Sequence, residues 1–135
     1  MKHLNVVAAI IIYNKQLLCM QRGKSNQDYI SYKYEFPGGK IEPGETRPKA
    51  LMRELKEEMN ISVEISDEDY FMTVNHTYPD FELTMHSYFC YVASQEFVRR
   101  EHIDHKWFYP EGLNALDWAA ADLPIVEKLM ELKLC

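Results

Sequence analysis

The sequence predicts an α/β fold, a mixed β-sheet with helices packed on its faces. Three observations lead there: nearly continuous apolar β-rich segments open the chain, one strong helix signal follows, and further β-rich segments precede a closing amphipathic helix. Residues 6–13 are almost all apolar, Asn14-Lys15 interrupts, and residues 16–21 resume, which predicts a hairpin of buried strands. Polar residues dominate 23–33, a loop that ends where Tyr34-Glu35-Phe36 leads into Pro37-Gly38-Gly39. That last tripeptide excludes a helix, because proline and paired glycines both oppose one.

Thr46 is placed to cap a helix, Pro48 suits its first turn, and good helix formers run over 49–59. Asn60 tolerates the left-handed conformation that ends many helices. Residues 61–65 alternate as a strand, and 70–77 and 83–92 follow as strands separated by the turn Tyr78-Pro79-Asp80. Residues 106–109 form a short strand, and 123–134 a closing helix with Ile125, Val126, Leu129, Met130 and Leu134 on its apolar stripe.

The 135 residues fit one domain, 1–135, without an internal repeat or a linker-like stretch. Hydrophobic residues at 47% and charged residues at 27% are a globular balance. The longest apolar run, 6–12, is far shorter than the roughly 20 residues that a membrane span needs, so no membrane partner is expected. No secretory signal is visible at the N-terminus, which makes the cytoplasm the expected compartment. Cys19, Cys90 and Cys135 are odd in number and widely spaced, which predicts reduced thiols. A formal net charge of −6 disfavours a nucleic-acid polymer as partner, so any phosphate handled here calls for a bound cation. The oligomeric state leaves no signal in the sequence.

The chemistry concentrates on the first helix. Glu54, Glu57 and Glu58 sit at i, i+3 and i+4 and share one face within an arc of roughly 100°. Like charges at those spacings oppose each other by about 0.2–0.5 kcal/mol per pair, and a divalent cation relieves the conflict. Oxygen ligands of this kind suit Mg²⁺, with Mn²⁺ as an alternative, and Mg²⁺ is usually shared with substrate phosphates. A solvated acidic face is the competing reading for the three glutamates alone. The preceding Pro37-Gly38-Gly39-Lys40-Ile41-Glu42-Pro43-Gly44-Glu45 moves the balance, because a glycine-rich turn lets backbone approach a ligand closely.

Gly39, five residues, Glu45, seven residues and then Arg53-Glu54-Leu55-Lys56-Glu57-Glu58-Met59-Asn60-Ile61 resembles the signature box of the Nudix hydrolases at every defining position except Asn60, where the family has glycine. Asparagine is the next most tolerant residue in the left-handed region, so the box is read as intact. The resemblance spans the whole chain and is similar to the MutT-like branch, which includes 8-oxo-dGTP and CTP pyrophosphohydrolases. It implies an α/β/α sandwich and Mg²⁺-dependent hydrolysis of a nucleoside triphosphate to the monophosphate and diphosphate. Alternatives are a Nudix hydrolase of ADP-ribose or a dinucleoside polyphosphate, or a nucleotide-binding module without turnover.

Residue by residue, the resemblance implies that Glu57, Glu58 and the Gly38 carbonyl bind metal, and that Glu54 binds metal or assists the attacking water. Glu45 and Arg53 are structural, an ion pair holding loop to helix. Glu101, six residues before Trp107, resembles a loop glutamate that serves as a further metal ligand or base, with a plain surface role in its polar stretch also open. Arg22 resembles an arginine that contacts phosphate, a task its forked guanidinium suits, with a solvent-facing role as the alternative. Phe36, Tyr78 and Asp80 resemble groups that frame the base, with core packing as the other role open to Phe36. Asp122 resembles the aspartate of cytidine-type relatives: as an acceptor it favours an exocyclic amine, and it is also placed to cap the last helix. The five histidines show no metal-ligand spacing.

Overall fold

The computed structural model describes residues 1–132. Leu134 and Cys135, discussed above as a helix position and a thiol, lie outside the described residues. The strands are β1 (Lys2–Tyr13), β2 (Gln16–Gln21), β3 (Tyr34–Glu35), β4 (Gly38–Lys40), β5 (Tyr70–Thr77), β6 (Phe81–Tyr91) and β7 (Asp104–Phe108). The helices are α1 (Arg47–Met59) and α2 (Leu123–Glu131), with short 3₁₀ turns at Asp67–Asp69, Pro110–Ala115 and Ala120–Asp122.

The sheet is mixed. β6 runs parallel to β1 from Lys2 to Ile12 and antiparallel to β5 on its other side. One edge of β1 is therefore fully taken, and its other edge is shared: Ile12 and Tyr13 pair with β2, whereas Val6 to Ala8 pair with β4. β2 is likewise covered along one side by β7 and meets β3 on the other. Residues 34–40 are thus wedged between β1 and β2 where the hairpin opens, and Ala9 N–H donates to the Pro37 carbonyl at 2.7 Å within the wedge.

Alternation along β1 sorts two cores. Ala8, Ile10 and Ile12 face one side, closed by Ile125, Val126 and Leu129 of α2. Val7, Ala9 and Ile11 face the other, closed by Ala50, Leu51, Leu55 and Met59 of α1. Helices cover both faces, the expected α/β/α sandwich, and each fully buried Leu, Ile or Met contributes about 1.5–3 kcal/mol. No helix among the described residues is long and apolar enough to cross a membrane.

α1 starts where its caps dictate. Thr46 is extended and accepts a hydrogen bond from Lys49 N at 3.3 Å, and Pro48 occupies the first turn. Asn60 ends the helix in the left-handed region at φ 54° and ψ 35°, its amide reaching back to the Leu55 and Lys56 carbonyls.

Three expectations change. Residues 61–65 have no strand partner; Ile61 and Ile65 are buried against the α1 side, so their alternation reflects burial and not a ladder. Gly38-Gly39 is a strand and not a turn, because β1 has an open edge there to pair with. Asp122 precedes α2 but its side chain makes no cap; it turns inward to the site described next.

Candidate functional site

The site is assembled around β4 and α1. A Cβ on Gly38 would stand 1.9 Å from the Val7 carbonyl oxygen, and one on Gly39 would stand 2.4 Å from the Glu54 carboxyl carbon. Only glycine lets β4 lie this close to β1 while Glu54 tucks beneath it.

Arg53 holds the loop to the helix, as expected. Its Nε and Nη2 donate to the two Glu45 oxygens at 2.7 and 2.9 Å, and Nη2 also donates to the Lys40 carbonyl at 3.0 Å. Its Nη1 reaches Glu54 at 3.0 Å and Glu57 at 3.3 Å. These bonds from the Arg53 guanidinium hold the Glu45 carboxyl down to about 2.

Glu54, Glu58 and Glu101 converge in a cleft of about 920 Å³, beside Gly38 and Gly39. Burial, and then the hydrogen bonds and charges of Glu54 and Glu101, push the Glu58 carboxyl up to about 9. Glu57 does not line this cleft: its side chain is 62% exposed and turned to Arg53. Among the described residues no three side chains form a ready cage for an ion. The donor set nonetheless fits a hard divalent cation shared with phosphate, since it is all oxygen, partly buried and crowded with like charge.

The other lining group is aromatic and polar. Phe36 stacks on Trp118 with centroids 4.8 Å apart, so it packs in the core and also borders the cleft. Tyr78 is buried, accepts a hydrogen bond from Ala121 N at 3.0 Å, and stacks on Tyr29. Asp80 is engaged by the 23–33 loop, accepting from Tyr29 Oη and, at 3.2 Å, from Gln27 Nε2. Asp122 is only 4% exposed and accepts from Phe36 N at 3.1 Å, while burial and the nearby Glu35 hold its carboxyl well above the usual range.

Arg22 lies between the two groups, 3.3 Å from Glu35, and His102 reaches the other Glu35 oxygen at 2.9 Å. Sequence reasoning missed Glu35, His102, Tyr29 and Gln27. Glu35 and His102 each sit beside a residue that was found, Phe36 and Glu101, and that adjacency was the available signal. Nothing local marked Tyr29 or Gln27, which meet Asp80 only through the fold.

The raised carboxyls have a consequence for stability. Glu58 binds its proton more tightly when folded, so its contribution is whole below the unfolded value of 4.5 and is lost as pH rises towards about 9. Asp122 acts in the same sense. His86 and His105, lowered chiefly by burial, act oppositely, favouring the folded state as pH rises through 6.5. Metal-free protein is expected to lose more Tm between about pH 5 and pH 9 than Glu58→Gln, whose amide cannot ionise, and added Mg²⁺ or Mn²⁺ should restore the difference. Thermal melts across pH check this, and parallel curves for the two proteins would refute it.

Known proteins resemble the chain along nearly its whole length. The chain is 32% identical over 132 residues to an 8-oxo-dGTP diphosphatase of Escherichia coli K12, covering 98% of this chain and 100% of that one. It is 32% identical over 134 residues to the CTP pyrophosphohydrolase of the same organism, covering 98% and 96%. A solution structure of the MutT protein of methicillin-resistant Staphylococcus aureus 252, a Nudix hydrolase, superposes with a TM-score of 0.73 at 36% identity, covering 96% of this chain and 98% of that one. Residues 2–129 match the NUDIX domain, and with the box glycines, Arg53 and the acidic cleft in the arrangement described, the chain belongs to that family.

Proposed function

We propose that this chain is a single-domain, Mg²⁺-dependent nucleoside triphosphate diphosphatase that acts on free nucleotides in the cytoplasm, with Mn²⁺ as a substitute metal. The observation that carries the reading is the meeting of Glu54, Glu58 and Glu101 in one cleft with an aromatic-walled pocket. The printed activities of the two Escherichia coli relatives support the same substrate class.

Glu54, Glu58, Glu101 and the Gly38 carbonyl would hold the metal, and Glu57 could join only by leaving Arg53. When bound, a divalent cation neutralises phosphate charge and favours ionisation of water. Arg22 offers a forked donor to a phosphate, with Glu35 keeping it oriented. One cleft carboxylate takes the proton of the water that attacks the β-phosphorus; the bond from that phosphorus to the α–β bridging oxygen breaks, the nucleoside monophosphate leaves with that oxygen, and the diphosphate keeps the oxygen of the water. Positioning and fixed charge supply most of the rate, as in phosphoryl transfer generally.

The base is read beside Phe36 and Asp122. The acceptor-only view of Asp122 assumed an ionised carboxylate. Burial pushes the Asp122 carboxyl towards its protonated form, in which it both donates and accepts, as asparagine does, and complements either the cytosine edge (N4 donor, N3 acceptor) or the 8-oxoguanine edge (N7 donor, O6 acceptor). Asp122→Asn should therefore keep kcat/KM within about tenfold, whereas Asp122→Leu should lower it by about tenfold or more through the lost hydrogen bonds.

The test is pyrophosphate release from CTP, dCTP, 8-oxo-dGTP, dGTP and ATP, with ADP-ribose and diadenosine tetraphosphate as controls assayed by phosphate release after phosphatase treatment. Triphosphates should be cut, with cytosine or 8-oxoguanine nucleotides ahead of ATP. Turnover of the two controls alone would overturn the substrate class.

A further inference from the structure

Glu101 is exposed and sits in an irregular segment, residues 92–103, that belongs to no ladder. Fixing one such backbone residue costs about 1–2 kcal/mol, so a loop carboxylate stays on a metal centre only if its neighbours are tied down. The ties on the α1 side are Val98 N to the Met59 carbonyl at 2.9 Å and the Arg100 guanidinium to the Glu57 carbonyl. On the strand side Ile103 N donates to the Gln21 carbonyl at 3.0 Å, Arg99 reaches Asp104 and His105 of β7, and His102, whose side chain is 7% exposed, donates through Nε2 to Glu35 beside the cleft at 2.9 Å. Glu35 is itself seated on β3 and shared with Arg22.

We propose that His102 is a positioning residue: through its bond to Glu35 it pins the loop so that the Glu101 carboxylate meets Glu58 at the metal centre, and it ties that placement to the Arg22 end of the cleft. The inference rests on the reading of Glu101 as a metal-centre residue and deepens it. Glu35 has one oxygen for Arg22 and one for His102. A movement of Arg22 towards phosphate is therefore felt at the loop that carries Glu101. Partners of this kind, one shell behind a ligand, typically account for about 10–100-fold in metal affinity or activity.

The experiment measures the Mn²⁺ dissociation constant by electron paramagnetic resonance of the free ion, together with kcat and KM, for wild type, Glu101→Gln, His102→Ala, His102→Gln and the Glu101→Gln/His102→Ala double variant. His102→Ala is expected to weaken Mn²⁺ binding and lower kcat by about 10–100-fold with little change in KM. The double variant should be no worse than Glu101→Gln alone, because both changes remove one interaction. His102→Gln, whose amide N–H can still reach Glu35, should recover most of the loss. If His102→Ala does not fold, Glu35→Gln replaces it, with the same expected loss. Wild-type Mn²⁺ affinity in His102→Ala beside a weakened Glu101→Gln overturns the positioning role alone, as do effects that multiply in the double variant. Wild-type behaviour of Glu101→Gln overturns the reading of Glu101 and the proposal with it.

Discussion

Glu58→Gln is expected to lower kcat for pyrophosphate release by about 10²–10³-fold or more, the usual consequence of removing one preorganised stabiliser of the transition state. The substitution keeps the size of the side chain and, without metal, resembles the protonated form that burial and the Glu54 and Glu101 charges favour. Loss of rate should therefore come without loss of metal-free stability, a combination that separates a functional carboxylate from a structural one. Glu57→Gln should cost less, since Glu57 is turned to solvent and Arg53. Rate measurements with melting curves on both variants check the pair, and near wild-type turnover in Glu58→Gln would remove it from the metal centre.

Gly38→Ala is expected to produce the largest loss of stability. The added Cβ meets a backbone carbonyl, Val7 O, at 1.9 Å. β1 cannot yield, because β6 holds its other edge from Lys2 to Ile12. Overpacking against an unyielding backbone costs about 3 kcal/mol or more, or roughly 10 °C in Tm for a chain of this size. Gly39→Ala makes a useful contrast. Its Cβ meets the Glu54 carboxyl, which is the end of a side chain and can swing aside, so stability should be nearly kept while kcat falls with Glu54 displaced. Gly38→Ala should therefore melt well below Gly39→Ala although both lose turnover, which thermal unfolding with rate measurements checks, and a Gly38→Ala protein as stable as wild type would refute the argument.

What the sequence made legible was chiefly local. Thr46, Pro48 and Asn60 act within one turn of their own positions, so both ends of α1 could be placed before any contact was known. The spacing of Glu54 and Glu58 fixed a shared helix face for the same reason. Residues 61–65 show the limit of the method: a period of two marks alternating burial, and whether a strand results depends on a partner elsewhere in the chain. Asp122 has both an N-cap position and a buried partner, and only the docking of β3 beside the last 3₁₀ turn decides for Phe36 N. The Glu101 loop, His102 and the Tyr29 contact with Asp80 arise from long-range pairing, which no window of sequence contains.

The wedge of residues 34–40 has a consequence for how competence arises. These seven consecutive residues carry Glu35 and Phe36 beside Asp122 at one end of the cleft, and Gly38 and Gly39 beside Glu54 at the other. They can dock only once β1 and β2 have paired at one end and parted at the other. The two ends of the cleft are therefore seated by the same short segment, so a change that loosens the wedge is expected to disturb both together.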